Sequence, residues 1–133
     1  MTKRELVLST LEKMGFRPEV DDDGEITITY QMKLVCFGIG DDEEPYIPMV
    51  LPQFHEIEEG QETPVLVTCN KMTRDLKLVK VFVDQSFQSV SATCEFFYTD
   101  EESLTQNIRQ SLQIFGVVRT LFRESLSGLS DEK

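Results

Sequence analysis

The sequence predicts an α+β domain with a mainly antiparallel sheet and N-terminal, central and C-terminal helices, and three observations carry that reading. Val65, Cys69, Met72 and Leu76 recur at i, i+4, i+7 and i+11, one stripe of a 3.6-residue period. The period then drops to two: Val79, Val81 and Val83 alternate, and Val90, Ala92, Cys94, Phe96 and Tyr98 alternate over nine residues. Helix signals also stand at both ends of the chain, where Thr2 with Glu5 and Thr99 with Glu102 have capping-box spacing.

In chain order, the Thr2 cap predicts a first helix with Val7, Leu11 and Met14 inward, stopped at Gly15 because a left-handed residue ends a helix most easily without a Cβ. Phe16 to Val20 reads as a short strand and Asp21–Gly24 as a tight turn. Ile26, Ile28 and Tyr30 alternate with polar residues, so that strand is half-buried, whereas Lys33 to Ile39 is apolar on both faces, as a strand inside a sheet would be. Tyr46 to Leu51 contains Pro48, which has no N–H for a ladder, and is expected at a sheet edge. Gln53 to Glu62 is read as an acidic, solvated connection. Thr63 is then the expected cap and Pro64 the first residue of the central helix, which runs to Leu76. The last helix is expected from Thr99 to about Glu124, with Leu104, Ile108, Leu112, Phe115 and Phe122 on its core stripe. The domain is thus 1–124, with 125–133 a polar, frayed tail.

A chain of 133 residues suits one core, and no apolar run approaches the ~20 residues of a membrane span. The charged start lacks the apolar segment of a secretory signal, so the expected setting is cytoplasmic. The net charge of −11 is concentrated between Asp21 and Glu62, a surface that repels phosphate backbones and argues against a nucleic-acid partner. Lys71, Arg74, Lys77 and Lys80 form the one basic cluster, read as a solvated face.

The chemistry-bearing residues do not assemble into a known motif. Cys36, Cys69 and Cys94 are too widely spaced for a metal knuckle or redox pair and sit in apolar segments, as small hydrophobes. The single histidine, His55, has no ligand at helical spacing. Asp21–Gly24 begins like a calcium loop, but the glutamate required six residues after the glycine is replaced by Tyr30. Acids follow Gly38-Ile39-Gly40, where a phosphate loop needs open N–H groups. The expectation is a non-enzyme with no metal and no cofactor. The alternative is a small ligand-binding domain or enzyme whose site is assembled from residues far apart in sequence.

Residues Leu66-Val67-Thr68-Cys69-Asn70 through Leu78-Val79-Lys80-Val81-Phe82-Val83-Asp84 resemble the pattern of the YbjN-like family: an apolar helix with an asparagine, a short turn, a lysine, and an alternating strand ending in aspartate. The resemblance spans Lys3 to Glu124 and points to Asn70, Lys80 and Asp84 as structural motif residues. Cys69 and Met72 are softer fillers than the pattern expects. The resemblance implies the fold of the type III secretion chaperones and a chaperone-like or regulatory module that contacts an unidentified protein or peptide. It also implies a homodimer. The residue-level counterpart is a second apolar stripe on the last helix, Ile114, Val117 and Leu121, offered as the self-association face, with Gly116 beside it for close approach; the alternative is cover within the chain by the first helix, whose Leu6 and Leu8 are also surplus to a single face.

Overall fold

The computed structural model describes residues 1–131. Its elements are α1 (Lys3–Lys13), β1 (Glu19–Val20), β2 (Ile26–Tyr30), β3 (Lys33–Phe37), β4 (Tyr46–Glu56), α2 (Glu62–Asp75), β5 (Val79–Val83), β6 (Ser89–Phe97) and α3 (Glu101–Asp131). The strands form one six-stranded sheet in the order β1-β2-β3-β4-β6-β5, every neighbouring pair antiparallel. The expected α+β architecture with N-terminal, central and C-terminal helices is therefore present.

Alternation decides which face is covered. Ile28, Val35, Met49, Leu51, Val81, Ala92, Cys94 and Phe96 are buried on one face, in a single cluster with Val7 and Leu11 of α1, Val65 and Met72 of α2, and Leu104, Ile108 and Phe115 of α3. The opposite face carries Thr29, Leu34, Lys80, Phe82 and Phe97, all exposed, and remains uncovered. Val90, Ala92, Cys94 and Phe96 share the covered face as expected, and Tyr98 lies just beyond β6, half-buried against the same core.

At the first helix, the Thr2 hydroxyl accepts the Glu5 N–H at 3.1 Å and Gly15 has φ +96°. Lys3 is buried, its Nζ donating to the carbonyls of Glu44 (2.9 Å) and Tyr46 (3.1 Å), which ties α1 to the start of β4.

Four expectations are corrected. β4 is not an edge strand: it lies between β3 and β6 and has eleven residues. Proline is tolerated at position 48 because its C=O accepts from Gly38 N–H (3.0 Å) on the β3 side, one residue past the end of β3, so the missing donor falls where that ladder is already ending. α2 starts at Glu62 with Gln61 at the cap, not Thr63, so Pro64 is the third helical residue; every N–H of a first turn lacks an intrahelical acceptor, and proline costs little there. α3 is capped by Asp100 rather than Thr99: its carboxylate accepts the Ser103 N–H at 2.8 Å while the Ser103 hydroxyl accepts the Asp100 N–H at 3.1 Å, a reciprocal pair one residue later than Thr99 and Glu102. Finally, α3 continues past Glu124 to Asp131, because Leu126 finds cover in the core one turn after Phe122. Residues 132–133 of the expected tail lie outside the described residues.

Candidate functional site

α2 runs back along β5, the outer strand of the sheet, and partly closes its open edge. The Thr73 hydroxyl accepts the Val81 N–H at 2.9 Å and donates to the Val81 carbonyl at 3.1 Å, so one side chain satisfies both outward-pointing backbone groups of that residue. Nearer the N-terminus of α2 the helix and strand part. They leave an apolar groove of about 470 Å³ whose floor is Cys69, Val81 and Val83 and whose rim is Ile57, Leu66, Phe82 and Phe87, with Glu62 the only charged residue lining it.

The rim aromatic is held there by a strained turn. Between β5 and β6, the Asp84 N–H donates to the Ser89 carbonyl (3.0 Å), the Phe87 N–H donates to the Asp84 carbonyl (3.0 Å), and the Asp84 carboxylate accepts the Ser86 N–H (3.0 Å). The Ile57 N–H donates to the Gln88 carbonyl at 2.8 Å and pins the turn to the end of β4. Phe87 thereby takes φ +60°, a left-handed conformation normally left to glycine or asparagine, while 81% exposed. A non-glycine residue in that region costs of the order of 1 kcal/mol, and an exposed ring returns no burial to offset it. Beside it Leu66 is 58% and Val67 49% exposed, although both belong to a helix whose other face is fully packed.

The groove is chemically quiet. Burial pushes the Cys69 thiol up to about 11, so at neutral pH the floor is an uncharged, weakly nucleophilic sulfhydryl. Cys94 is likewise pushed up to about 12 by burial. Cys36 is half-buried on the open face of the sheet, its thiol also raised, by burial and then by Glu25 and Asp21. No group of three or more His, Cys, Asp or Glu among the described residues could hold a metal ion.

Two polar constellations lie elsewhere. On the open sheet face Glu95 accepts from the Tyr46 hydroxyl, from Thr93 at 3.1 Å and from Lys80 at 2.7 Å. The bonds from Lys80 and Tyr46 hold its carboxyl below the usual range, and the same bond pushes Tyr46 up to about 12. His55 is the second. Contrary to the expected solvated connection, it sits in β4 beyond an irregularity between Leu51 and His55, its ring 4.9 Å from that of Phe122. Both ring nitrogens are buried without a hydrogen-bond partner. Burial lowers its pKa, Arg123 and Arg119 add to the effect, and Gln61 and Glu58 oppose it.

The residues singled out in the sequence are dispersed. Asn70 is exposed on α2, Lys80 pairs with Glu95 on the open sheet face, and Asp84 organises the strained turn. On α3, Ile114 and Leu121 are half-buried against the core of their own chain, while Val117 is 50% exposed. The space beside Gly116 is taken by the Gln31 side chain, whose Oε1 would lie 3.1 Å from an added Cβ. The sequence reading missed the groove residues Leu66, Phe82 and Phe87. Leu66 and Val67 did carry a signal, since both fall off the core stripe of a helix that has no other use for apolar residues on its outer side.

No family model matches the chain, and no curated protein matches it in sequence. Solved structures do. The chain is similar to YbjN from E. coli, a proposed transcription regulator, with a TM-score of 0.69 and 12% identity over 94% of this chain and 92% of that one. It is also similar to an uncharacterised protein from Methanothermobacter thermautotrophicus, with a TM-score of 0.53 and 13% identity over 90% of this chain and 98% of that one. At this identity the likeness is one of architecture: the fold is YbjN-like.

Proposed function

We propose that this chain is a non-catalytic, chaperone-like or regulatory module that binds protein through the α2–β5 edge. The observation that carries the reading is Phe87, an exposed aromatic held at positive φ on the rim of an apolar groove. Strain and exposure both oppose folding, and such combinations cluster where a surface is used. The groove is lined by side chains that confer apolar contact and shape, with the single carboxylate of Glu62 to fix orientation, which suits an apolar stretch of polypeptide better than a reacting substrate. A regulatory role fits the description of the E. coli protein of like fold, and a net charge of −11 favours regulation by protein contact over direct DNA binding. A cytoplasmic setting belongs to the same reading and is supported by three unpaired thiols.

The test is a panel of fluorescent extended peptides with alternating large apolar residues, titrated by anisotropy. Binding by the wild type that weakens at least ~10-fold in Phe87→Asp, at unchanged melting temperature, is the expected result. A panel that never binds, or binds the variant equally, removes this surface as the site.

A further inference from the structure

We infer that the chain carries a second binding site, for an organic carboxylate with a compact apolar body, in the cleft where β3 and β4 part beside α3. The site shares no lining residue with the α2–β5 groove and stands independently of it. The ladder between the two strands ends at Cys36 and Val50, although β3 begins already at Lys33. Beyond that pair β4 turns towards β6: Pro52 has no N–H, Gln53 takes φ +48°, and the Gln53 N–H donates to the Ser91 hydroxyl at 2.8 Å. A cavity of about 260 Å³ opens in the gap. The buried Leu51 and Phe54 form its floor, Leu34 and Pro52 its apolar walls, and Lys33 and Arg119 bring two positive charges to its rim. Of the five non-glycine residues with positive φ, three, Gln31, Met32 and Gln53, stand at this end of the sheet. Gln31 and Met32 are the two-residue turn joining β2 to β3, where both positions need a left-handed backbone and Asn-Gly is the usual choice. The Gln31 side chain takes the space that Gly116 leaves on α3, which docks the turn against the helix about one turn before Arg119. Lys33, next after the turn, and Arg119 are thereby brought to one cavity.

Charge and size name the ligand. The chain has 24 acids and 13 bases, yet among the described residues neither Lys33 nor Arg119 takes part in an ion pair, and no acid lines the cavity. A cavity of ~150 Å³ holds benzene, whereas cofactor pockets run to ~300–1,000 Å³. The space therefore accepts a single ring or a short aliphatic chain with its charged group, and excludes a nucleotide. Lysine and arginine together can meet both oxygens of a carboxylate. A phosphate is ordinarily cradled by backbone N–H groups, and the β4 wall offers none at Pro52 or Gln53. The net charge of −11 repels anions at long range, so occupancy depends on these two local bases and on the apolar floor beneath them.

Amide NMR titrations of the full chain with phenylacetate, neutral phenylacetamide and the tripeptide Gly-Gly-Phe as free acid test the site. Phenylacetate should shift the amides of Lys33, Leu34, Gln53 and Phe54 saturably, and phenylacetamide should bind about 10-fold more weakly, because it presents no charge to the two bases. Arg119→Gln should lower the phenylacetate affinity about 10-fold, with the spectrum away from the cleft unchanged. Arg119 is exposed, so the fold does not depend on its charge, and Lys33→Gln repeats the measurement from the other strand. Shifts that never saturate, an amide bound as well as the acid, or variants that both bind like the wild type would each overturn the inference. Two sources share this chemistry, and the tripeptide separates them. Gly-Gly-Phe bound with the same set of shifts upholds the site as one for a polypeptide C-terminus, whereas phenylacetate binding with the tripeptide excluded upholds it as one for a free small carboxylate.

Discussion

Phe87 and His55 are single residues placed where folding alone would not put them, and each makes a separable prediction. At position 87 the left-handed backbone suits glycine, so Phe87→Gly should leave stability unchanged or raise it by up to about 0.5 kcal/mol, net of the extra chain entropy glycine carries, and should weaken peptide binding. A calorimetric melt and an anisotropy titration on the same variant check the two halves; a variant that melts earlier shows that the ring is held by contacts rather than against strain. His55 predicts a pH dependence. Its folded pKa lies below the ordinary 6.5, so as pH falls through 6.5 the unfolded chain takes up a proton that the folded chain resists, and stability is lost on the acid side. It is the sole histidine. Denaturant midpoints measured between pH 7 and 5 should therefore fall more steeply in the wild type than in His55→Phe, which keeps a ring against Phe122 and has no nitrogen to protonate. Parallel slopes would show the imidazole to be hydrated.

Among the elements, β5 depends on α2 for cover. Thr73 closes the Val81 backbone with two bonds, and Thr73→Val keeps the shape of the side chain while removing both, leaving an N–H and a C=O facing an apolar helix. The expected cost is about 1–3 kcal/mol, read as a lower urea midpoint, with faster hydrogen exchange at Val81 than at Val79. An unchanged Val81 amide would mean that water substitutes for the hydroxyl. The β4–β6 pair is the opposite case, a long central ladder continued past an irregularity at Leu51 by the Gln53 N–H donating to the Ser91 hydroxyl at 2.8 Å. There the sheet tolerates Pro48 because its neighbour β3 is short, which shows that a proline's cost depends on where the adjacent strand ends.

For the whole molecule the governing quantities are the one-sided core and the acidic surface. Helices cover one sheet face, so a charge introduced at Phe96 enters the centre of the cluster; Phe96→Asp should cost several kcal/mol and leave little folded protein, as circular dichroism would show. The net charge of −11 acts more diffusely. Its self-repulsion is screened once the Debye length falls to about 8 Å at physiological salt, so the melting temperature should rise between low and moderate sodium chloride. A fall would give the larger role to local pairs such as Lys80 with Glu95, 2.7 Å apart.

Periodicity by itself determined the architecture. The switch from the 3.6-residue stripe of Val65, Cys69 and Met72 to the two-residue alternation of Val90, Ala92, Cys94 and Phe96 required a helix laid on a sheet, because each pattern leaves one apolar side that must be covered. Helix ends were legible to within a residue at Thr2 and Gly15, and shifted by two at Gln61 and by one at Asp100, within the one- or two-residue margin at which helix ends are defined. Strand order was not legible: alternation says which residues share a face but not which strands are neighbours, so Pro48 pointed to an edge that the tertiary ladder contradicted. The groove belongs to the same class. Leu66, Phe82 and Phe87 come from a helix, a strand and a turn, and only the packing of α2 against the outer strand brings them to one rim. The strain at Phe87 is likewise a tertiary fact, since its φ is imposed by the bonds at Asp84 and Ser89 and by the Gln88–Ile57 bond to a distant strand, and no residue type announces a left-handed phenylalanine in advance.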